Sequence, residues 1–243
     1  MNYAIMLSGG VGKRLGGDIP KQYIKVKGHM VITYALLSML ESEYVDYIQI
    51  VADSSWTEDI LNDVKANGCA TSRITGFSEP GENRQLSIYN GMTSILKKNG
   101  VEGKMAPGDT VFVHDAARPF LTKKMIENCY KALKGHDGVL PVLPMKDTVY
   151  MSSDGTAISK LLDRSQVYRG QAPELFTFNK YYSANVALLP DEIRSINGST
   201  EPAIKAGMDI AMIEGDENNF KITTKSDLQR CQEIINSESL GDE

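Results

Sequence analysis

Directly after a short β-rich start, Tyr3–Leu7, the chain runs Ser8-Gly9-Gly10-Val11-Gly12-Lys13-Arg14-Leu15-Gly16-Gly17 and, a few residues on, Pro20-Lys21-Gln22. Glycines let a backbone approach a ligand closely and turn N–H groups toward phosphate oxygens. Arg14 and Lys21 add two cations beside that loop, a suitable setting for a triphosphate of about four negative charges. Either cation alone reads as ordinary surface charge; together, behind a first strand, they read as a phosphate site. The loop is not a Walker A motif, because position 7 is Leu and Lys13 is followed by Arg14. Nor is it a dinucleotide fingerprint, whose third glycine would fall on Leu15.

Three further segments carry polar residues at suggestive spacing. Gly81-Glu82-Asn83-Arg84-Gln85-Leu86-Ser87 places an Arg and a Ser three residues apart at an expected helix start, where N–H groups and a hydroxyl can meet polar ligand edges or simply cap the helix. Val111 to Phe120, reading VFVHDAARPF, puts Asp115 at the C-terminal end of a buried strand, where ligands bind in open α/β sheets. A carboxylate there can hold Mg²⁺ together with substrate phosphate oxygens, or cap the next turn; His114 reads as a satisfied histidine. Near the end, Asn218 to Leu228 reads as strand, turn and helix, with Ser226 or Thr224 as N-cap. Lys221 sits inside that short β-like run, ordinarily the place of an edge-strand gatekeeper.

These residues need elements to hold them. Strands are expected at Tyr3–Leu7, Tyr47–Ala52, Ser72–Thr75, Thr110–His114, Gly138–Val142 and Asp209–Ile213, and helices at Val31–Leu40, Thr57–Ala66, Arg84–Lys97, Lys123–Leu133 and Ser226–Ile235. Strand-helix alternation implies an α/β fold with a mostly parallel sheet. Between Asp147 and Leu162, two β-like stretches flank Ser152-Ser153-Asp154-Gly155, the signal of a projecting hairpin. One domain over residues 1–236 is expected, with a polar tail at 237–243. Hydrophobic residues at 42% and charged residues at 23% are globular composition, and no apolar run approaches the ~20 residues of a membrane span. Cys69, Cys129 and Cys231 stand far apart without a CxxC pair, which points to reduced thiols and a cytoplasmic setting. A net charge of −5 without a basic run argues against a nucleic-acid partner.

The pattern Gly-Gly-x-Gly-x-Arg-Leu-Gly…Pro-Lys-Gln resembles the signature of the CTP-dependent cytidylyltransferases that include the 2-C-methyl-D-erythritol 4-phosphate and ribitol 5-phosphate enzymes. The similarity continues through Gly81-x-x-Arg84-x-x-Ser87, His114-Asp115-Ala116-Ala117-Arg118-Pro119 and Asn219-x-Lys221-Ile222-Thr223. It implies a Rossmann-like three-layer sandwich of the nucleotide-diphospho-sugar transferase type with a protruding β-hairpin arm, and transfer of CMP from CTP to a small phosphorylated polyol with Mg²⁺ as cofactor. Arg14, Lys21 and Lys221 would then be catalytic, and Leu7, Ser8, Gly9, Gly10, Gly12, Gly81, Glu82, Arg84, Ser87, Asp115 and Ala116 would bind the nucleotide. Asp115 would hold the metal. Arg118 would reach the acceptor, as would Thr148 and Arg164 from the arm, residues 145–164, which in the family embraces a twin subunit in a homodimer.

For the acceptor, Tyr168-Arg169-Gly170-Gln171-Ala172-Pro173-Glu174 resembles the ribitol branch, as does Leu7-Ser8-Gly9-Gly10, whereas His114-Asp115-Ala116-Ala117-Arg118 has the erythritol-branch form. The usual Thr-Pro-Gln is Ala172-Pro173-Glu174 here, and the frequent Thr-Asp is Thr200-Glu201. The expectation is a ribitol or glycerol type of polyol phosphate, with methylerythritol phosphate as the alternative. A sugar-1-phosphate nucleotidyltransferase, a non-catalytic nucleotide-binding module, and a dehydrogenase using Asp53 are more distant readings.

Overall fold

The computed structural model describes residues 1–10 and 19–237. Twelve strands are described: β1 (Asn2–Leu7), β2 (Lys25–Val26), β3 (His29–Met30), β4 (Tyr47–Val51), β5 (Ile74–Ser78), β6 (Thr110–Asp115), β7 (Gly138–Pro144), β8 (Val149–Met151), β9 (Lys160–Leu162), β10 (Tyr168–Gly170), β11 (Glu174–Thr177) and β12 (Ile210–Glu214). The α-helices are α1 (Val31–Glu41), α2 (Thr57–Ala66), α3 (Arg84–Asn99), α4 (Lys123–Ala132), α5 (Phe178–Val186), α6 (Glu201–Lys205) and α7 (Lys225–Ser237).

Eight strands form one mixed sheet in the order β10-β7-β11-β6-β1-β4-β5, with β12 paired to β7. β1 runs parallel to β4 and β6, and β4 parallel to β5. β11 is antiparallel to both β6 and β7. The central strands are buried on both faces, as parallel strands covered by helices must be. Alternate residues of β1 serve two cores: Ala4 and Met6 face α1, α2 and α4, while Tyr3 and Ile5 join Ile88 and Met92 of α3 and Tyr181 of α5. A smaller core under α7 joins Cys231 and Ile235 to Val26, Val31 and Ile222.

Because β4 and β6 flank β1 on opposite sides, the chain leaves β1 in one direction and returns to its other edge. Such a switch in strand order opens a crevice beyond the strands' C-terminal ends. Leu7 and Asp115 end β1 and β6 side by side in register, and the Ala116 N–H bonds the Leu7 carbonyl at 2.9 Å.

Several expected elements shift. The strand expected at Ser72–Thr75 is Ile74–Ser78, because pairing to β4 is set by Ile48 opposite Ile74 and then slips by one residue. Asn218–Ile222 is irregular rather than a strand; the Ile222 N–H bonds Ala117 O at 2.8 Å, and buried Asn219 donates through Nδ2 to Ala172 O at 2.7 Å. Of the two possible caps for α7, Thr224 is the one used, since its Oγ1 accepts from Asp227 N while the Asp227 carboxylate accepts from Thr224 N. The hairpin appears as expected: among the described residues β8 and β9 pair only with each other, and residues 150–161 are exposed throughout.

Candidate active site

A cavity of about 470 Å³ opens at the crevice. The residues after β1, the turn entering α3, the end of β6, the Lys21 turn and the segment before α7 all line it. The walls include Leu7, Ser8, Gly9, Gly10, Lys21, Gly81, Glu82, Arg84, Ser87, Asp115, Ala116 and Lys221, twelve of the residues expected from sequence. Gly12 and Arg14 lie outside the described residues.

Local packing explains why these segments sit where they do. A Cβ on Gly9 would stand 2.4 Å from Pro80 Cβ, so only glycine lets the first loop lie against the Pro80-Gly81 turn. Gln22 is 3% exposed and donates through Nε2 to the carbonyls of Ser8 and Gly10, at 2.7 Å each. Tyr23 reinforces the clamp: its hydroxyl accepts from Ser8 Oγ at 2.9 Å and donates to Ser8 O at 3.0 Å. Asn83, not Arg84 or Ser87, caps α3 by accepting from Leu86 N at 2.8 Å. Ser87 instead ties the turn together, accepting from Gly81 N at 3.0 Å and donating to Asn83 O at 2.9 Å.

Asp115 is the hub of the charges. Its Oδ1 accepts from Arg84 Nε at 3.0 Å, its Oδ2 from Lys221 Nζ at 2.9 Å, and Arg118 Nε stands 3.7 Å from Oδ2. Burial alone would raise this carboxyl's pKa, but Arg84 first, then Lys221 and Arg118, hold it well below the usual carboxylate range. Asp115 is therefore ionised at any working pH. Lys21 also lines the cavity, donating to Ile222 O at 2.5 Å. His114 is fully buried and pushed down to about 4 by that burial, so it is neutral; its Nε2 bonds Arg118 O at 3.0 Å, and its Nδ1 has no partner among the described residues.

Behind Arg84 lies a group that sequence reasoning left without a role. Arg84 Nη1 donates to Ser199 Oγ, which donates to Glu174 Oε2. Glu174 is buried, and burial raises its pKa against the pull of Arg84. Gln22, Asn83 and Thr223 also line the cavity unforeseen. Gln22 was in plain view beside Lys21, and asking what holds the loop carbonyls would have found it.

The three expected acceptor residues do not line this cavity. Arg118 is inserted beneath it, donating through Nη1 to Asn219 O at 2.6 Å. Thr148 and Arg164 are exposed on the arm, where Arg164 Nη1 bonds Lys146 O at 2.8 Å. Asp53, the anchor of a dehydrogenase reading, is an exposed cap on Ser55.

The family model described as "IspD: 2-C-methyl-D-erythritol 4-phosphate cytidylyltransferase" matches residues 3–237. The chain belongs to this family. A 2-C-methyl-D-erythritol 4-phosphate cytidylyltransferase of Thermotoga neapolitana is 33% identical over 234 residues, 96% of each chain. A bifunctional IspD/IspF enzyme of Paramagnetospirillum magneticum is 31% identical, matched over 94% of this chain and 55% of that longer protein. In fold, the chain superposes on the 4-diphosphocytidyl-2C-methyl-D-erythritol synthase of Anaerococcus prevotii with a TM-score of 0.78 at 22% identity, covering 97% and 96% of the two chains. Family membership makes the chain a CTP-dependent cytidylyltransferase and so a nucleotidyltransferase.

The ribitol or glycerol expectation is not supported by these relatives, whose descriptions name methylerythritol 4-phosphate. Of the stretches that suggested it, residues 7–10 line the cavity, while residues 168–174 run from the exposed strand β10 outside it to Glu174 behind Arg84. Among the described residues, no helix is long and apolar enough to cross a membrane.

Proposed function

We propose that the protein transfers CMP from CTP to the phosphate of 2-C-methyl-D-erythritol 4-phosphate, giving the CDP-linked polyol and pyrophosphate. The supporting observation is the convergence of a glycine loop, Lys21, Arg84 and Lys221 around the ionised Asp115 in one cavity, in a chain matched to this family almost end to end.

The acceptor phosphate oxygen forms a bond to the α-phosphorus, and the bond from that phosphorus to the bridging oxygen breaks, its electron pair leaving with pyrophosphate. A phosphate monoester is largely dianionic near neutrality, its second pKa being ~6, so the step needs neither a protein nucleophile nor a general base. The obstacle is the meeting of two polyanions and the charge growing on the departing oxygen. Lys21 and Lys221 carry positive charge into the cavity, Arg84 steadies the nucleotide, and the loop N–H groups position its phosphates. Arg14 shares the first role in this reading.

Among the described residues, no three His, Cys, Asp or Glu side chains could hold a metal by themselves. One ionised carboxylate at the cavity wall suits Mg²⁺ delivered with the triphosphate, since that ion takes one or two carboxylates and fills its shell with phosphate oxygens and water. Asp115 would hold it, and the ion would supply charge neutralisation to the phosphates. The arm, carrying Thr148 and Arg164 away from its own cavity, supports a homodimer in which each arm completes the acceptor site of the other subunit, with Arg118 steadying that site from within.

The test is phosphate release, coupled through inorganic pyrophosphatase, from CTP and Mg²⁺ with methylerythritol 4-phosphate, ribitol 5-phosphate and glycerol phosphates, and with UTP as control. Rapid release with CTP and methylerythritol 4-phosphate alone is expected. Release with ribitol 5-phosphate and none with methylerythritol 4-phosphate would reverse the acceptor assignment. CTP binding with no release from any acceptor would favour a binding module.

A further inference from the structure

The first turn of α3 is gripped by a single stretch of chain far away in sequence. Glu82 pairs with Arg194 at 3.1 Å, Asn83 Nδ2 donates to the carbonyls of Ile193 and Arg194 at 3.0 and 3.1 Å, and Arg84 Nη1 donates to Ser199 Oγ. The grip is deepest at Ser199. This residue is 2% exposed, its hydroxyl donates to the buried Glu174 carboxylate, and its carbonyl accepts from the Tyr181 hydroxyl at 2.6 Å. Glu174 Oε2 also stands 3.7 Å from Arg84 Nη1.

Arg84 thus bridges two acids. Its Nε is committed to Asp115 and its Nη1 to Ser199 and Glu174, while among the described residues no acceptor is bonded to Nη2. The side chain lines the cavity with its plane already fixed. An arginine has several rotatable bonds, and ordering them at the moment of binding would cost affinity. Here that ordering is built into the protein before the ligand arrives.

We propose that Ser199 and Glu174 are positioning residues for the nucleotide, holding the Arg84 guanidinium across Asp115 in the orientation that CTP meets. The inference rests on the transfer reaction proposed above. It predicts a loss in nucleotide affinity and not in the chemical step, because neither residue lines the cavity.

The experiment measures CTP affinity by titration calorimetry, and kcat and KM with methylerythritol 4-phosphate, for wild type, Ser199→Ala, Ser199→Thr and Glu174→Gln. Ser199→Ala should weaken CTP binding about tenfold, the loss expected for a hydrogen bond to a charged group, with kcat changed no more than about twofold. Ser199→Thr, which keeps the hydroxyl, should restore binding. Glu174→Gln, of the same shape without the charge, should fall between. CTP affinity equal to wild type in both Ser199→Ala and Glu174→Gln overturns the positioning role, whatever happens to the melting temperature. A loss in Ser199→Ala that Ser199→Thr does not restore also overturns it, marking a packing defect. Failure of the wild type itself to bind CTP is a separate result: it removes the transfer reaction first, and the inference with it.

Discussion

At the scale of single residues, Asp115 differs from Lys221 in what its loss would do. Asp115 faces Arg84, Lys221 and Arg118 together, so neutralising it would leave three cations crowded at one partly buried point. Lys221 is the cleaner probe. Lys221→Ala should lower kcat by about 10²–10³, the scale for removing one group that stabilises developing charge, with the far-ultraviolet circular dichroism unchanged; steady-state kinetics decide it. His114 makes a prediction about pH. Its folded pKa lies below the unfolded value near 6.5, so its contribution to stability is fully present above that pH and is lost as pH falls toward about 4. The loss is on the order of 3 kcal/mol, and denaturant melts between pH 7 and pH 4 should show it flattened in His114→Asn. Residues of this kind were legible because phosphate chemistry concentrates cations and glycines at short spacing. Glu174 and Ser199 were not, because they meet Arg84 from two segments that carry no charge pattern of their own.

At the scale of elements, the long amphipathic helices and the parallel strands were legible because their periodicity reports which faces are buried. The stretch between the arm and β12 was not. β11 has only four residues and lies antiparallel between β6 and β7, with Leu175 and Phe176 fully buried, so neither alternation nor length marks it. α5 carries Asn179, Ser183 and Asn185 in nine residues, and Asn185 is buried by bonding to Gln85 and Tyr181, a tertiary reason invisible in sequence. The start of α7 yields a prediction of its own. Asp227 accepts from the Thr223 hydroxyl at 2.7 Å and from the Thr223 and Thr224 N–H groups at 2.8 Å, and these bonds, against the cost of burial, draw its carboxyl down to about 2. Asp227→Ala should cost about 1 kcal/mol near neutral pH. The gap from wild type should persist above the unfolded carboxyl value and close as pH falls toward 2, as chemical denaturation at stepped pH would show.

At the scale of the whole molecule, the arm stands apart from the sheet and exposes Tyr150, Met151, Ile158 and Leu161, each at least half exposed. Apolar residues so placed on a two-stranded projection suit burial against a second subunit. Leu161→Glu should yield a monomer in equilibrium sedimentation and lose at least about 10² in kcat/KM for the acceptor, since in the proposed dimer each acceptor site would lose the other subunit's arm. A monomer with full activity would remove the shared-site arrangement.

The cavity is closed by groups far apart in sequence: Lys21 reaches the Ile222 carbonyl, Lys221 reaches Asp115, and the Ile222 N–H is tied to Ala117. Synthesis on the ribosome proceeds from the N-terminus, so the glycine loop, the α3 turn and Asp115 exist long before the segment that completes them. A nascent chain that has not yet released Lys221 holds a half-built nucleotide site, with Asp115 answered by arginines alone. In the proposed reaction such a chain lacks the ammonium that Lys221 sets beside Asp115, and a product truncated before Lys221 should show no phosphate release in the coupled assay.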